Sequence, residues 1–319
     1  MCLYPRLITN RKYTITKKNK GIIPPITDQR VSKVAIGCGK CLECSKQKRR
    51  EWTPRLSEDI KHYKNAQFIT LTFSDESYHK LRAEILKEKL IPDEYTIDNQ
   101  IATLATRRFL ERWRKKNSKS VRHWLVTELG QTNTERIHLH GIIYTDQIDE
   151  INNIWGYGHT HTGTYVNENT IKYITKYISK MDFLHKEYKP IILCSPGIGK
   201  TYIHSHNANL NRFKDTDTKE TYSYKDGTIT SLPKYYRNNL YTEEQREKLW
   251  LNLLDKQIRY VLGIEIKIDN AQGIENYYNC LNIAQAKNTR LGYGNNEINW
   301  ERKKYENERR KLIRKKKRP

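Results

Sequence analysis

The chain has 319 residues, and 59 Lys and Arg against 36 Asp and Glu give a formal net charge of +23. Mean hydropathy is low at −0.88, but 22 tyrosines and 6 tryptophans supply large buried areas, which argues against a wholly disordered polymer. No stretch approaches the roughly 18 apolar residues that cross a bilayer, and residues 1–13 lack an apolar signal region, so membrane and secreted proteins are disfavoured. Such a positive excess is typical of nucleic-acid binding, with a merely basic soluble surface as the alternative.

The N-terminal region carries a cysteine cluster. Cys38, Cys41 and Cys44 form a C-x2-C-x2-C run, and Cys2 lies near the start. If Cys2 folds back onto the run, four thiolates can bind a structural Zn²⁺. A set of reduced cysteines in a turn is the alternative. An iron–sulfur cluster is less favoured, because the usual fourth Cys followed by Pro is absent.

Residues 1–166 predict alternating helices and strands, because apolar residues recur at helical spacing in some stretches and β-branched and aromatic residues concentrate in others. In chain order these are an irregular basic segment over 1–37, a helix through Trp52, Leu56 and Ile60, a strand over 66–73, a loop from Ser74, a helix over 98–116, strands over 122–129 and 137–145, a short helix over 149–155 and a hairpin element over 156–166. The short polar turn over 130–135 predicts antiparallel pairing of the strands beside it.

The rest of the chain predicts a helix over 169–181, strands and loops over 190–240, and a helix that begins at Thr242. Residues 301–319 hold eleven Lys or Arg against three Glu, which indicates a mobile arm that contacts phosphates, with a fraying helix as the alternative. We therefore divide the chain into a basic N-terminal segment with the cysteine cluster packed on the core (1–58), a central domain (59–240) and a helical C-terminal region with a basic tail (241–319).

His138 and His140 are the first candidate site. Alternate residues of a strand share a face, so both imidazoles point the same way while Leu139 points into the opposite layer. Glu128 comes nearly opposite if the hairpin closes over 130–135, and two imidazoles with one carboxylate suit Mg²⁺, Mn²⁺ or a transition metal. A lone His-x-His pair is more often packing or surface. The chain holds two further pairs, His159 with His161 and His204 with His206. Neither has a suitable acid on a neighbouring predicted strand, so we expect both at the surface or facing DNA.

Tyr173 and Tyr177 are the second candidate site. Residues four apart share a helical face, which places the two phenols side by side with Lys176 and Lys180 flanking them. A phenol has a pKa near 10, so activation as a nucleophile requires nearby positive charge, which a metal ion and lysines provide. An amphipathic helix with half-buried tyrosines is the alternative.

Residues 197–201 read Gly-Ile-Gly-Lys-Thr and invite interpretation as a phosphate-binding loop. Such a loop needs a glycine five positions before its second glycine, and that position is Cys194. We therefore expect no nucleotide cofactor, and a small glycine turn packed near the active site.

Together these motifs resemble a known family. The strand over 68–73, the His-Leu-His over 138–140 and the Tyr-x-x-Lys-Tyr over 173–177 resemble, in this order, the three motifs of HUH endonucleases. The chain more closely resembles replication initiators of gokushovirus-type single-stranded DNA phages (Microviridae). The segments that carry this likeness lie over 1–5, 37–44, 136–141, 173–177, 195–200 and 232–236.

The resemblance implies an α+β fold with an antiparallel central sheet and helices packed on it, the RRM-like nuclease core of HUH proteins, followed here by a helical basic C-terminal segment. It implies Tyr173 and Tyr177 as nucleophiles, His138 and His140 as metal ligands and, less directly, Glu128 as the third. With these residues we group Lys176 as catalytic.

The implied activity is nicking of origin DNA through a 5′-phosphotyrosine, which starts rolling-circle replication of a phage genome. Single-stranded origin DNA, a host polymerase and a host helicase are the expected partners, with no membrane, in the cytoplasm of a bacterial host. Plasmid initiators, relaxases and transposases share this chemistry, and a non-catalytic, zinc-stabilised nucleic-acid-binding protein is the rival of a different class.

Overall fold

The computed structural model describes residues 1–17, 19–88, 94–130, 135–163, 165–180, 182, 185 and 188–293. They form two compact units. The first unit contains Met1–Gln47, Leu210–Glu220 and the described part of Arg237–Pro319, and the second contains Lys48–Asn209 and Thr221–Tyr236. The N-terminal and C-terminal regions, which the sequence analysis separated, thus belong to one unit. The predicted basic arm over 301–319 lies outside the described residues.

The described residues contain the following elements. The α-helices are α1 (Leu42–His62), α2 (Asp75–Glu88), α3 (Glu94–Asn117), α4 (Asp149–Trp155), α5 (Glu168–Ile174), α6 (Lys234–Leu240), α7 (Glu243–Asp255) and α8 (Ala271–Arg290). The strands are β1 (Arg6–Thr9), β2 (Lys33–Ile36), β3 (Ala66–Leu71), β4 (Arg122–Leu129), β5 (Ile137–Tyr144), β6 (Thr160–Gly163), β7 (Ile192–Cys194), β8 (Thr221–Ser223), β9 (Ile229–Ser231), β10 (Ile258–Val261) and β11 (Ile264–Lys267). No described helix is both long and apolar enough to cross a membrane.

The second unit is built on an antiparallel sheet with the strand order β6-β3-β5-β4-β7. Strand β5 is therefore central and bonded on both sides. It pairs with all of β4, so that Arg122 lies opposite Tyr144 at one end and Glu128 lies opposite His138 at the other. The fold is α+β with an antiparallel central sheet, as predicted.

Both faces of this sheet are covered, because the strands alternate their side chains between two apolar layers. Leu125, Leu139 and Ile143 lie in one buried cluster with residues of α2, α3 and α4. Trp124, Val126 and Ile142 of the same strands lie in a second cluster with Leu56, Ile171, Ile174 and Ile198. Helices α1 and α5 thus cover the second face, and Leu139 occupies the opposite layer as predicted.

Close approach of β4 and β5 requires a glycine. A Cβ built on Gly141 would lie 2.0 Å from the carbonyl oxygen of Trp124, far inside contact distance. The strand that carries the histidine pair therefore tolerates no side chain at this position without separation of the two strands.

Several predicted bounds agree closely with the structure. Strand β4 and helix α4 have the predicted bounds, and β3 and β5 begin where predicted. Helix α7 begins after Thr242, whose side chain accepts a hydrogen bond from the Gln245 backbone amide in a capping box.

Two predicted irregular segments are structured. The loop predicted from Ser74 is wrong, because α2 follows that residue directly. The Ser74 hydroxyl accepts a hydrogen bond from the Ser77 amide at 3.2 Å, and Leu81 and Ile85 bury the inner face of the helix. The irregular segment over 1–37 is also wrong in part, because β1 pairs with β2 in antiparallel register.

The glycine turn over 197–200 does not lie near the candidate site. The Arg122 guanidinium donates to the Gly197 carbonyl at 2.9 Å, and the Gly199 amide donates to the buried Asp59 carboxylate at 2.7 Å. Arg122 is at the far end of β4 from Glu128, about 20 Å away at strand rise. The expectation that this turn packs beside the site is therefore wrong, and its role is to close that end of the sheet.

The first unit has its own small core. It contains the two-stranded ribbons β1–β2 and β10–β11 together with α7 and α8. Buried apolar residues from the N-terminus, β10, β11 and α8 form one cluster: Leu3, Tyr4, Val261, Ile266, Tyr277, Leu281 and Ala284.

Candidate active site

The three predicted metal ligands converge at one end of the second sheet face. Glu128 lies directly opposite His138 in the β4–β5 register, and His140 follows two residues along the same strand. The Glu128 Oε2 atom lies 3.3 Å from His138 Nε2 and 3.1 Å from His140 Nε2. The hairpin register is therefore the one that turns the carboxylate toward both imidazoles.

The other nitrogen of each imidazole is held by a fixed partner. Nδ1 of His138 lies 3.2 Å from the Arg136 carbonyl oxygen, which can only accept. Nδ1 of His140 lies 3.0 Å from the Thr70 hydroxyl, across the β3–β5 pair. With the hydrogen on Nδ1, each neutral ring presents the lone pair of Nε2 toward Glu128. This is the arrangement of metal-bound histidines and their outer partners.

This donor set fits a cation. Two nitrogen lone pairs and an ionised oxygen would repel one another at these distances unless a positive charge lies between them. Ligands that each lie about 2.1 Å from one ion are separated by roughly 3.0–3.4 Å in octahedral or tetrahedral geometry, and the observed separations of 3.1 and 3.3 Å match. The three ligand atoms all lie within 4.8 Å of one another. The residues thus fit a divalent cation with positions open for phosphate oxygens.

The two tyrosines lie against these histidines. The Tyr177 ring stacks on the His140 ring, with centroids 4.4 Å apart and planes 13° apart. The Tyr177 hydroxyl donates to the Tyr173 hydroxyl at 2.5 Å, and Tyr173 is 49% exposed. Tyr173 also packs edge-on against Phe68 of β3. Imidazoles from the sheet and phenols from the segment packed over it therefore share one site.

The segment that carries the tyrosines is only partly helical. The predicted helix over 169–181 is too long, since α5 ends at Ile174 and turns follow through residue 179. The Thr175 hydroxyl bonds to the Ile171 carbonyl at 2.8 Å and contacts the Thr53 hydroxyl at 3.1 Å. The backbone then changes to i→i+3 bonds, as from the Tyr177 amide to the Ile174 carbonyl. Tyr173 is on the helix and Tyr177 on the turn.

Lys180 is the lysine that contacts the ligands. Its ammonium donates to Glu128 Oε1 at 2.6 Å and lies 5.7 Å from the centre of the Tyr177 ring. Lys176 is exposed on the same segment. Sequence spacing flags both lysines, but only the fold shows which one reaches Glu128. Thr70 was not singled out from the sequence, although its alternation with Phe68 in β3 places both on the site's face.

Electrostatics keep the ligands ready for a cation. Burial opposes ionisation of Glu128, but hydrogen bonds from His138, His140 and Lys180 outweigh it and hold the pKa of that carboxyl far below its usual range. Burial lowers the pKa of His140, more than the bond to Glu128 raises it. Burial and the hydrogen bond with Tyr173 raise the pKa of Tyr177. The phenol therefore needs added positive charge before it can ionise.

The remaining predicted residues lie elsewhere. The four clustered cysteines come together in the first unit, and all six cysteines of the chain are free thiols. The two other His-x-His pairs have exposed side chains at all four positions, as expected for surface residues.

Comparison with known proteins gives one family. Residues 66–182 match the model of the family described as replication-associated protein ORF2/gene 2 protein. This stretch runs from the first residue of β3 past Lys180, and so includes both histidines, Glu128 and both tyrosines. No curated protein and no solved structure matches the chain. The family match supports a role in replication initiation.

Proposed function

We propose that this chain is a metal-dependent DNA endonuclease and strand transferase that nicks a single-stranded origin to start rolling-circle replication. The observation that carries the proposal is the stacking of Tyr177 on His140, which places paired phenols beside a two-histidine, one-carboxylate cation site. The match to a replication-associated family supports the same role.

The proposed reaction is a transesterification. A tyrosine oxygen attacks the scissile phosphorus, and the bond from phosphorus to the 3′ oxygen breaks. The phenol loses a proton and the departing 3′ oxygen gains one, so a 5′-phosphotyrosine and a free 3′-OH result and no water is consumed. A divalent cation held by Glu128, His138 and His140 would neutralise charge on the phosphate oxygens. Because the phosphotyrosine is an ester, reversal by a 3′-OH reseals DNA without a nucleotide cofactor.

Two adjacent phenols suit a two-step transfer. Tyr173 is half exposed and accepts the hydrogen bond from Tyr177, so we expect Tyr173 to be the first residue that a strand from solvent reaches. Tyr177, stacked on His140, would then cleave the regenerated origin while the first linkage releases a circle. Lys180 would hold the free oxygen of Glu128 and supply positive charge near Tyr177.

A groove in the same unit offers a surface for the DNA strand. It has a volume of about 660 Å³ and ends at Lys172, the residue before Tyr173. Tyr165, in its lining, is 75% exposed. Its basic residues are Lys61, Lys64, Lys172 and Lys225. An exposed ring for base stacking and lysines for phosphates are the elements that bind single strands.

Two other functions differ in what they predict. A relaxase, plasmid initiator or transposase would use the same chemistry on another DNA site. A non-catalytic DNA-binding protein would form no covalent product. In the proposed role a host helicase opens the duplex and a host polymerase extends the 3′-OH, both in the host cytoplasm.

The test is covalent capture. The full chain is incubated with Mn²⁺ and a labelled single-stranded DNA library, and denaturing gels are examined for a protein–DNA band. We expect the band in the wild type and in Tyr260→Phe, an exposed tyrosine of the first unit that serves as the control. We expect no band when Tyr173 and Tyr177 are both changed to Phe, or in His140→Ala.

Mass spectrometry of the nucleotide-linked peptide then identifies the attacking residue. Adduct in the double phenylalanine variant would overturn the nucleophile assignment. DNA binding without adduct in the wild type would favour the non-catalytic function.

A further inference from the structure

The four cysteines of the first unit form a compact sulfur cluster. Cys2 lies before β1, Cys38 follows β2, and Cys41 and Cys44 lie at the beginning of α1. The Sγ atoms of Cys2 and Cys41 are 3.8 Å apart, and those of Cys38 and Cys44 are 3.9 Å apart. All four sulfurs lie within 4.8 Å of one another.

These separations fit one tetrahedral ion. Four sulfurs that each lie 2.3 Å from a zinc ion are roughly 3.8 Å apart, close to the 3.8 and 3.9 Å observed. Disulfide sulfurs would be only about 2.05 Å apart. A four-iron cluster would spread the sulfurs more widely, because each thiolate binds a different iron. The geometry therefore favours a single ion with four thiolate ligands.

Backbone groups around the cluster favour thiolates over thiols. The amides of Tyr4 and Cys38 donate to the Cys2 sulfur at 3.3 and 3.2 Å, and the Cys41 amide donates to the Cys38 sulfur at 3.3 Å. The first turn of a helix adds a positive electrostatic end. A Cβ at Gly37 would lie 2.9 Å from the Cys44 sulfur, so glycine leaves the room that this sulfur needs.

We infer that Cys2, Cys38, Cys41 and Cys44 bind one structural zinc ion. Four protein ligands close the coordination sphere, which is characteristic of structural rather than catalytic zinc. The ion connects the N-terminus, the end of the β1–β2 ribbon and the start of α1. These segments otherwise meet around a small apolar cluster, and two-stranded ribbons are marginal by themselves. Metal binding thus contributes directly to folding of this unit.

This inference does not depend on the proposed function, since its ligands belong to the first unit and its readout is metal content. The full chain is purified under reducing conditions without chelator, and its metals are counted by elemental analysis. We expect about one zinc per chain in the wild type, background zinc in Cys41→Ser, and unchanged zinc in the matched control Cys194→Ser, whose thiol lies in β7.

A second measurement covers the case in which Cys41→Ser does not fold. The wild-type chain is stripped of metal and titrated with Co²⁺, which gives the strong visible absorption of tetrahedral thiolate cobalt, and one equivalent of Zn²⁺ should abolish that absorption. Saturation at one equivalent supports the site. A wild-type chain that carries no zinc and gives no cobalt spectrum, or that carries iron with cluster absorption, overturns it.

Discussion

Replacement of Thr70 by Val tests whether the histidine pair is built to hold a cation. Thr70 lies opposite His140 in the β3–β5 register, and its hydroxyl is 3.0 Å from Nδ1. Valine keeps the shape of the side chain but removes the partner that fixes the ring. Loss of such an outer partner typically weakens metal binding 10–100-fold, about 1.4–2.7 kcal/mol. The His140 side chain is only 12% exposed, so water replaces the lost bond poorly.

The assay is calorimetric titration of Mn²⁺ into the wild type and the variant, with thermal unfolding measured in parallel. Thr72→Val is the matched control, because Thr72 is two residues along the same chain segment and its hydroxyl bonds to the His159 carbonyl at 2.7 Å, away from the ligands. We expect an unchanged Mn²⁺ affinity there. Affinity within twofold of wild type in Thr70→Val, or an equal loss in Thr72→Val, would refute the argument that this hydroxyl orients the His140 ring.

Three further outcomes are expected. Tyr165→Ala should weaken single-stranded DNA binding about 5–150-fold, the 1–3 kcal/mol of one stacked base, in fluorescence anisotropy, and an unchanged affinity would remove this ring from the DNA surface. Burial lowers the pKa of His123, so the unfolded state binds more protons as pH falls below about 6.5. The free energy of unfolding should therefore decrease below that pH, and less steeply in His123→Gln, in denaturant titrations at pH 7.5 and 5; equal slopes would contradict this. Gly141→Ala should cost at least about 1–3 kcal/mol of stability through its clash with the Trp124 carbonyl, whereas Gly163→Ala, whose Cβ would meet only a side chain at 3.3 Å, should cost less.

The ligand set could be predicted from sequence because its geometry is local. Strand alternation puts His138 and His140 on one face, and a short turn fixes the register that brings Glu128 opposite them. The tyrosine pair follows in the same way from helical spacing, although the helix ends early. That end depends on the Thr175 hydroxyl, which bonds within α5 and to Thr53 of α1, a contact that spacing does not reveal.

Other parts of the site depend on contacts between distant segments. The Thr70 bond to His140 requires the β3–β5 register, which joins residues 70 positions apart. The choice of Lys180 over Lys176 as the partner of Glu128 depends on how the turn after α5 lies on the sheet. Helix α2 was missed for a different reason: Ser74, followed by Asp75 and Glu76, is a cap-and-acid signal that was available in the sequence.

The ligands and the tyrosines are held by elements of different stiffness, and this matters for the proposed chemistry. The histidines lie on β5, which is bonded on both sides, so the ligand positions are fixed by two ladders. Tyr177 lies on a turn whose i→i+3 bonds have poorer geometry than α-helical bonds, so its backbone changes at lower cost. A transfer in which two phenols take turns at one phosphate requires this asymmetry. The cation site must keep its geometry through both steps, while each phenol must approach the phosphorus and then withdraw with DNA attached.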